Sequence, residues 1–159
     1  GKGFLSAQSG AFDKMPYSFK TRFENDEGKL GTNPEELIAA AHAGCFNMKL
    51  SFVLNEAGYN PVDINTNAEL TFVDGKIISI ELNLSANVPG VSEEEFKELA
   101  EDAKKNCPIS GALNCDIILN PSLFSFKIFI RFRAFLLKFF LNIKIQNDSL
   151  LPLPTLPLS

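Results

Sequence analysis

Gly31-Thr-Asn-Pro-Glu-Glu-Leu-Ile-Ala-Ala-Ala-His-Ala-Gly-Cys-Phe46 opens like a helix and then turns almost wholly apolar. Asn33 suits an N-cap, Pro34 the first helical position, and Glu36 the third residue after the cap. Between Leu37 and Phe46, His42 is the one strongly polar side chain. A helix that is apolar on every face belongs inside a protein. The helix should run to about Ala57, with Gly58 as its stop. Its second half is amphipathic: Leu50, Val53 and Leu54 recur at helical spacing beside Lys49, Asn55 and Glu56. Near the middle lies one thiol, Cys45, and the surrounding Ala and Gly let other backbone come close to the sulfur.

Working outward, residues 1–30 read as strand and turn. Phe4-Leu-Ser-Ala and Pro16-Tyr-Ser-Phe-Lys-Thr-Arg-Phe23 are strand-like, with Ser9-Gly10 between them and the polar loop Asn25-Asp-Glu-Gly28 after them. Downstream, residues 64–73 and 77–85 alternate apolar and polar. Asp74-Gly75 between them is a hairpin signal. Ser92-Glu-Glu-Glu95 opens a second helix through about Asn106, with Phe96, Leu99 and Ala103 as its stripe. Cys107-Pro108 marks a break, residues 109–113 one more turn, and residues 115–119 a last strand. Strands, helix, hairpin, helix and strand in this order make an α+β fold.

The totals bound the function. The chain has 159 residues, 45% of them hydrophobic and 21% charged, which suits one soluble domain. A net charge of -4 gives no reason to expect a nucleic-acid partner. Three cysteines argue against a secreted disulfide framework, and no apolar leader opens the chain, so a cytoplasmic protein is expected. The charge is uneven. Residues 121–159 carry Lys127, Arg131, Arg133, Lys138 and Lys144 against Asp148 alone, a net of +4, which leaves -8 for the first 120. The chain therefore divides into a domain, 1–120, and a basic, Phe-rich tail, 121–159. The tail has no helix cap and no sustained period, so poor order is expected there. Its cations interrupt any membrane span, although a basic membrane-surface segment remains an alternative. Its Phe, Ile, Lys and Asn come from A/T-rich codons, as a frame or splicing change would supply.

Chemistry is scarce outside the thiols. There is no Walker loop, no GxGxxG, no CxxC and no zinc spacing, and one histidine builds no metal cluster. Cys45 and Cys107 are the candidates. Each has a plain structural alternative: Cys45 as a buried core thiol and Cys107 as a residue that merely precedes a proline. His42 reads as a packed histidine, and Cys115 and Met48 as core.

Thr32-Asn-Pro-Glu-Glu-Leu-Ile-Ala-Ala-Ala-His-Ala-Gly-Cys-Phe46, preceded by Thr21-Arg-Phe-Glu24 and followed by Val88-Pro-Gly90 and Asn106-Cys-Pro-Ile-Ser110, closely resembles the OsmC/Ohr family of thiol peroxidases. The resemblance spans about residues 3–120 and is nearer OsmC than Ohr. It implies the OsmC-like fold, with antiparallel sheets packed around the buried central helix, an intertwined homodimer, and reduction of organic hydroperoxides in oxidative-stress defence with no bound cofactor. By that resemblance Cys45 is the peroxidatic cysteine, Cys107 the resolving one, Arg22 the catalytic arginine and Glu35 its carboxylate partner. A dithiol donor, typically a dihydrolipoyl group on a protein, restores the enzyme. A guanidinium favours the thiolate and stabilises the leaving alkoxide, and a carboxylate holds it by a two-point contact. The tail departs from the family pattern beyond Asn120. If the last strand stops there, the alternative is a catalytically impaired binding or structural module.

Two arguments point to a dimer with shared sites. A helix apolar all round needs cover that about 118 residues supply poorly. Glu35 and Cys45, ten residues apart on one straight helix, lie about 15 Å apart along its axis, and an arginine reaches roughly half of that. Arg22 and Glu35 of one subunit would then serve Cys45 and Cys107 of its partner.

Overall fold

The structure is a computed structural model and describes residues 1–24 and 31–124. Its elements are β1 (Lys2–Leu5), β2 (Met15–Ser18), α1 (Phe19–Phe23), α2 (Pro34–Glu56), β3 (Asp63–Val73), β4 (Lys76–Asn87), α3 (Glu93–Lys105), α4 (Pro108–Ala112) and β5 (Asp116–Leu123). β1 and β2 form an antiparallel pair, and β3-β4-β5 form a second sheet. The α+β class expected from the sequence is the one found.

α2 forms where the sequence places it. The Asn33 side chain accepts the Glu36 backbone N–H at 2.8 Å, with Pro34 in the first turn. Glu36 accepts from the Thr32 hydroxyl at 2.6 Å, which leaves Glu35 unclaimed by the cap. Gly58, at φ +88°, follows the C-cap Ala57. Just before the helix, Gly31 has φ +124°, and a Cβ there would lie 2.0 Å from the Pro16 carbonyl oxygen. Only glycine lets the chain pass β2 so closely, and the Thr32 N–H bonds that same oxygen at 2.9 Å.

The core lies between α2, α3 and one face of the β3-β4-β5 sheet. Phe46, Leu50 and Leu54 of α2 meet Ile80, Leu82, Leu84 and Ala86 of β4 and Phe96, Ala100 and Ala103 of α3. Burying each large side chain contributes about 2–3 kcal/mol. On the opposite face the strands carry polar residues: Asn120 donates to Asn83 at 2.9 Å, and Asn83 to Glu69 at 3.3 Å. β3 and β4 turn at Asp74 and Gly75, both with positive φ, as the hairpin signal requires.

Four sequence-based expectations need correction. Residues 19–23 form a helix rather than the continuation of a strand. Ser18 accepts from the Thr21 N–H at 3.1 Å and Thr21 Oγ1 from the Ser18 N–H at 2.7 Å, a reciprocal cap that turns the chain after Ser18. The main sheet is mixed: β5 runs parallel to β4, because α3 and α4 carry the chain back to the same end before β5 starts. The last strand also continues past Asn120, with Pro121, Ser122 and Leu123 in register with Leu84, Ser85 and Ala86. Phe124 N–H donates to Ala86 O at 2.9 Å, and strand alternation then turns the Pro121 nitrogen away from β4, toward the side of β5 that pairs with no other strand among the described residues. The rest of the tail, with the readings of it as poorly ordered or membrane-seeking, lies outside the described residues, as does the loop 25–30.

The fourth correction concerns α2. It is long and apolar enough to cross a membrane by length and composition, yet one face packs into the core. The other face carries exposed apolar side chains among the described residues. Met48, expected in the core, is 77% exposed and Phe52 53%. Among the described residues, the β3-β4-β5 sheet, α3 and α4 cover one side of this helix.

Candidate active site

Two of the four expected site residues meet at the middle of α2, and the other two at its start. Cys45 lies on α2. Cys107 is the N-cap of α4, with Pro108 in the first turn, and only 2% exposed. Their sulfurs are 3.4 Å apart, joined across 62 residues of sequence, and both thiols are free.

Burial pushes the Cys107 thiol up. The backbone N–H groups of Ser110 and Ile109, the Cys45 thiol and the Ser110 hydroxyl outweigh it and hold Cys107 below the usual range. Cys45 is moved the other way, raised by burial and by the neighbouring Cys107 despite a hydrogen bond from the Ile109 N–H. A shared proton favours the sulfur with more donors, so within one chain Cys107 is the readier thiolate. Cys45 needs a further positive group to become one.

A guanidinium lies at the start of the helix, away from the thiols. α1 carries Arg22, whose Nε and Nη2 donate to the two oxygens of Glu35 at 3.0 and 2.5 Å. This is the two-point grip expected of a guanidinium and a carboxylate. The guanidinium also lies 4.9 Å from the centre of the Phe72 ring and 5.0 Å from that of Phe23. Arg22, Glu35 and Ala43 line a groove of about 740 Å³, and neither Cys45 nor Cys107 is among its walls. Glu35 and Cys45 belong to one unbroken helix, which separates them by about 15 Å along its axis.

His42 is fully buried. Its Nε2 lies 2.8 Å from Ser110 Oγ, and burial pushes its pKa below the ordinary 6.5. Ser110 and Ile109 escaped the sequence reading. The signal available for them was Cys107-Pro108 as cap and first turn of a short helix, which brings the next backbone N–H groups to the sulfur. Cys115, just before β5, is half-buried against the core, its thiol raised by burial and by Asp116. Among the described residues, no three His, Cys, Asp or Glu side chains gather to hold a metal ion.

Comparison with known proteins gives a consistent picture. Residues 25–121 match the model of the OsmC-like protein family. Over 127 residues the chain is 45% identical to peroxiredoxin OsmC of Escherichia coli, covering 77% of this chain and 87% of that one. It is 31% identical over 126 residues to the organic hydroperoxide resistance protein OhrB of Bacillus subtilis, covering 74% and 87%. The crystal structure of that OhrB superposes with a TM-score of 0.55 at 28% identity, over 74% of this chain and 87% of the other.

Proposed function

This chain belongs to the OsmC-like protein family, and on that premise we propose that it is a cysteine-based peroxidase that reduces organic hydroperoxides, with Cys45 as its peroxidatic and Cys107 as its resolving residue. The observation that carries the reading is the 3.4 Å between two reduced sulfurs that the fold draws together from distant parts of the chain. A thiolate at Cys45 attacks the distal oxygen of the hydroperoxide. The S–O bond forms, the O–O bond breaks, and the alkoxide leaves as an alcohol once protonated. The resulting Cys45 sulfenic acid has Cys107 beside it and condenses with it to a disulfide, releasing water. A dithiol, of the dihydrolipoyl class on a partner protein, then reduces the disulfide in the cytoplasm. Cys45 is the more exposed sulfur and so the one a reductant attacks.

The working unit in this proposal is a homodimer. Two chains pack their α2 helices antiparallel, so that the Arg22–Glu35 pair of one reaches Cys45 of the other. Three features support it: the open face of α2 at Met48 and Phe52, the raised thiol of Cys45, and the distance of Arg22 from that thiol within one chain. The partner's guanidinium would draw the Cys45 thiol down and stabilise the leaving alkoxide.

Hydroperoxide consumption with a dithiol tests the assignment. Cys45→Ser should abolish turnover. Cys107→Ser should consume one equivalent and leave a sulfenic acid trappable at Cys45, and Cys115→Ser should turn over normally. Near wild-type turnover in Cys45→Ser would refute the peroxidatic role. A wild-type chain inert to every hydroperoxide tried would favour a binding module on this fold.

A further inference from the structure

We infer that Phe72, at the hairpin end of β3, is a positioning residue for the Arg22 guanidinium: its ring is the platform against which the two-point grip of Glu35 holds the guanidinium plane. The kinetic consequence rests on the peroxidase reading above; the contact does not.

The guanidinium carbon lies over the Phe72 ring, 4.9 Å from its centroid. Phe23 is at a similar 5.0 Å, but it is the next residue on the same short helix and moves with Arg22. The hydrogen bonds of α1 fix it to the start of α2: Thr21 Oγ1 donates to Thr32 O at 2.9 Å, and Asn33 Nδ2 to Thr21 O at 3.4 Å. Phe72 is what ties the guanidinium to the main sheet. Glu35 alone does not settle the orientation. The last torsion of a glutamate is broad, so its carboxylate rotates and carries the arginine with it. A ring under the guanidinium opposes that rotation, because the cation–ring contact is lost when the plane turns away.

The local backbone supports the aim. Thr71 pairs with Ser79 but Phe72 with Ile77, so β4 carries one extra residue, Ile78, opposite this step. Such a bulge raises the twist and redirects the side chains beside it. Phe72 and Glu35 line both the groove of about 740 Å³ and a second cavity of about 520 Å³, whereas Arg22 lines only the groove. The ring is therefore part of the wall that keeps the guanidinium on the groove side.

The step it serves is attack on the hydroperoxide. The Cys45 S–O bond forms, the O–O bond breaks, the sulfur is oxidised and the peroxide reduced, and the alkoxide takes a proton to leave as an alcohol. A guanidinium already in place stabilises the charge developing on that alkoxide without reorganising. Loss of the platform should slow this step about fivefold, the scale of one cation–ring contact at a partly exposed site.

Two measurements test the platform. The first is NMR of the reduced protein, with the Arg22 Nε–H assigned by its loss in Arg22→Ala. Overhauser contacts between the Phe72 ring and the Arg22 side chain are expected in the wild type, and their absence would overturn the platform without any variant. Phe72→Leu should speed exchange of that N–H with water about fivefold, and Phe72→Tyr, which keeps the ring, should not. Unchanged exchange in Phe72→Leu would also overturn it. The second is single-turnover stopped flow with cumene hydroperoxide. Phe72→Leu should slow sulfenic acid formation about fivefold and leave disulfide closure unchanged, and Phe72→Tyr should match the wild type. Phe72→Leu added to Arg22→Ala should slow formation no further. Equal slowing with and without Arg22→Ala would overturn the platform, because Phe72 would then act on the site by itself. A wild-type chain that forms no sulfenic acid refutes the peroxidase reading instead, and the NMR measurement alone then decides the platform.

Discussion

Mixing two inactive variants, Arg22→Ala and Cys45→Ser, should restore activity that neither has alone. Arg22 is fixed on Glu35 by two hydrogen bonds at the start of α2. Cys45 lies ten residues further along the same helix, about 15 Å by axial rise, and an arginine side chain spans roughly half of that. One chain therefore cannot place its own guanidinium on its own Cys45 without breaking the Glu35 pair. In an antiparallel dimer the defects separate. The mixed dimer holds one site with both defects and one site with neither. Random exchange of equal amounts makes about half of the dimers mixed, each with one working site of two, so about a quarter of wild-type activity should return. Arg22→Ala alone should lose about 100-fold or more, the scale for removing a group that stabilises transition-state charge. Native mass spectrometry verifies the exchange, and hydroperoxide consumption with a dithiol reads the activity. If verified mixed dimers recover nothing, all four residues act within single chains and the distance argument is refuted.

Two further outcomes concern stability. Burial lowers the pKa of His42 from 6.5, so below that pH the unfolded chain binds a proton that the folded chain refuses. The contribution is complete above about pH 6.5 and is lost as pH falls below it, by up to about 1.4 kcal/mol per pH unit. Urea midpoints at about pH 7.5 and about pH 5.5 should therefore differ more in wild type than in His42→Gln, and equal differences would refute the linkage. Asn33→Ala removes the cap of α2 and should cost about 1 kcal/mol in the same assay, whereas a cost near zero would mean that Pro34 alone starts the helix.

The parts of the fold legible in the sequence were those written in local chemistry. Asn33-Pro34 with Gly58, Asp74-Gly75 and Ser92 mark ends and turns through hydrogen bonds spanning a few residues, and each sits where that chemistry demands. α1 was misread because its cap is Ser18 with Thr21, and threonine after a strand-like Met15–Ser18 looks like more strand. The parallel partner of β5 could not be read, since pairing partners are set by the path through α3 and α4 and not by the strand's own residues. The site divides in the same way. The thiols and the Arg22–Glu35 pair came from motif resemblance, and the structure sets the members of each pair side by side. The contact of Ser110 with His42, 68 residues apart, left no mark in spacing or composition. Met48 shows the limit of hydropathy: an apolar residue on an apolar helix says that a face needs cover, not which molecule supplies it.

Pro121 has a consequence for the company this sheet can keep. The free side of an edge strand offers a row of donors and acceptors on which another β segment can crystallise, the usual start of amyloid-like growth. Among the described residues β5 is the outer strand of its sheet, and Pro121 interrupts that row in its second half, where the ring nitrogen faces away from β4 and carries no hydrogen. A stray strand arriving there loses a bond in the middle of its register, while the bonds inward to β4 from the residues on either side are untouched. The proline thus acts as a terminator, closing the sheet to recruitment at no cost to the pairing that holds β5 in place.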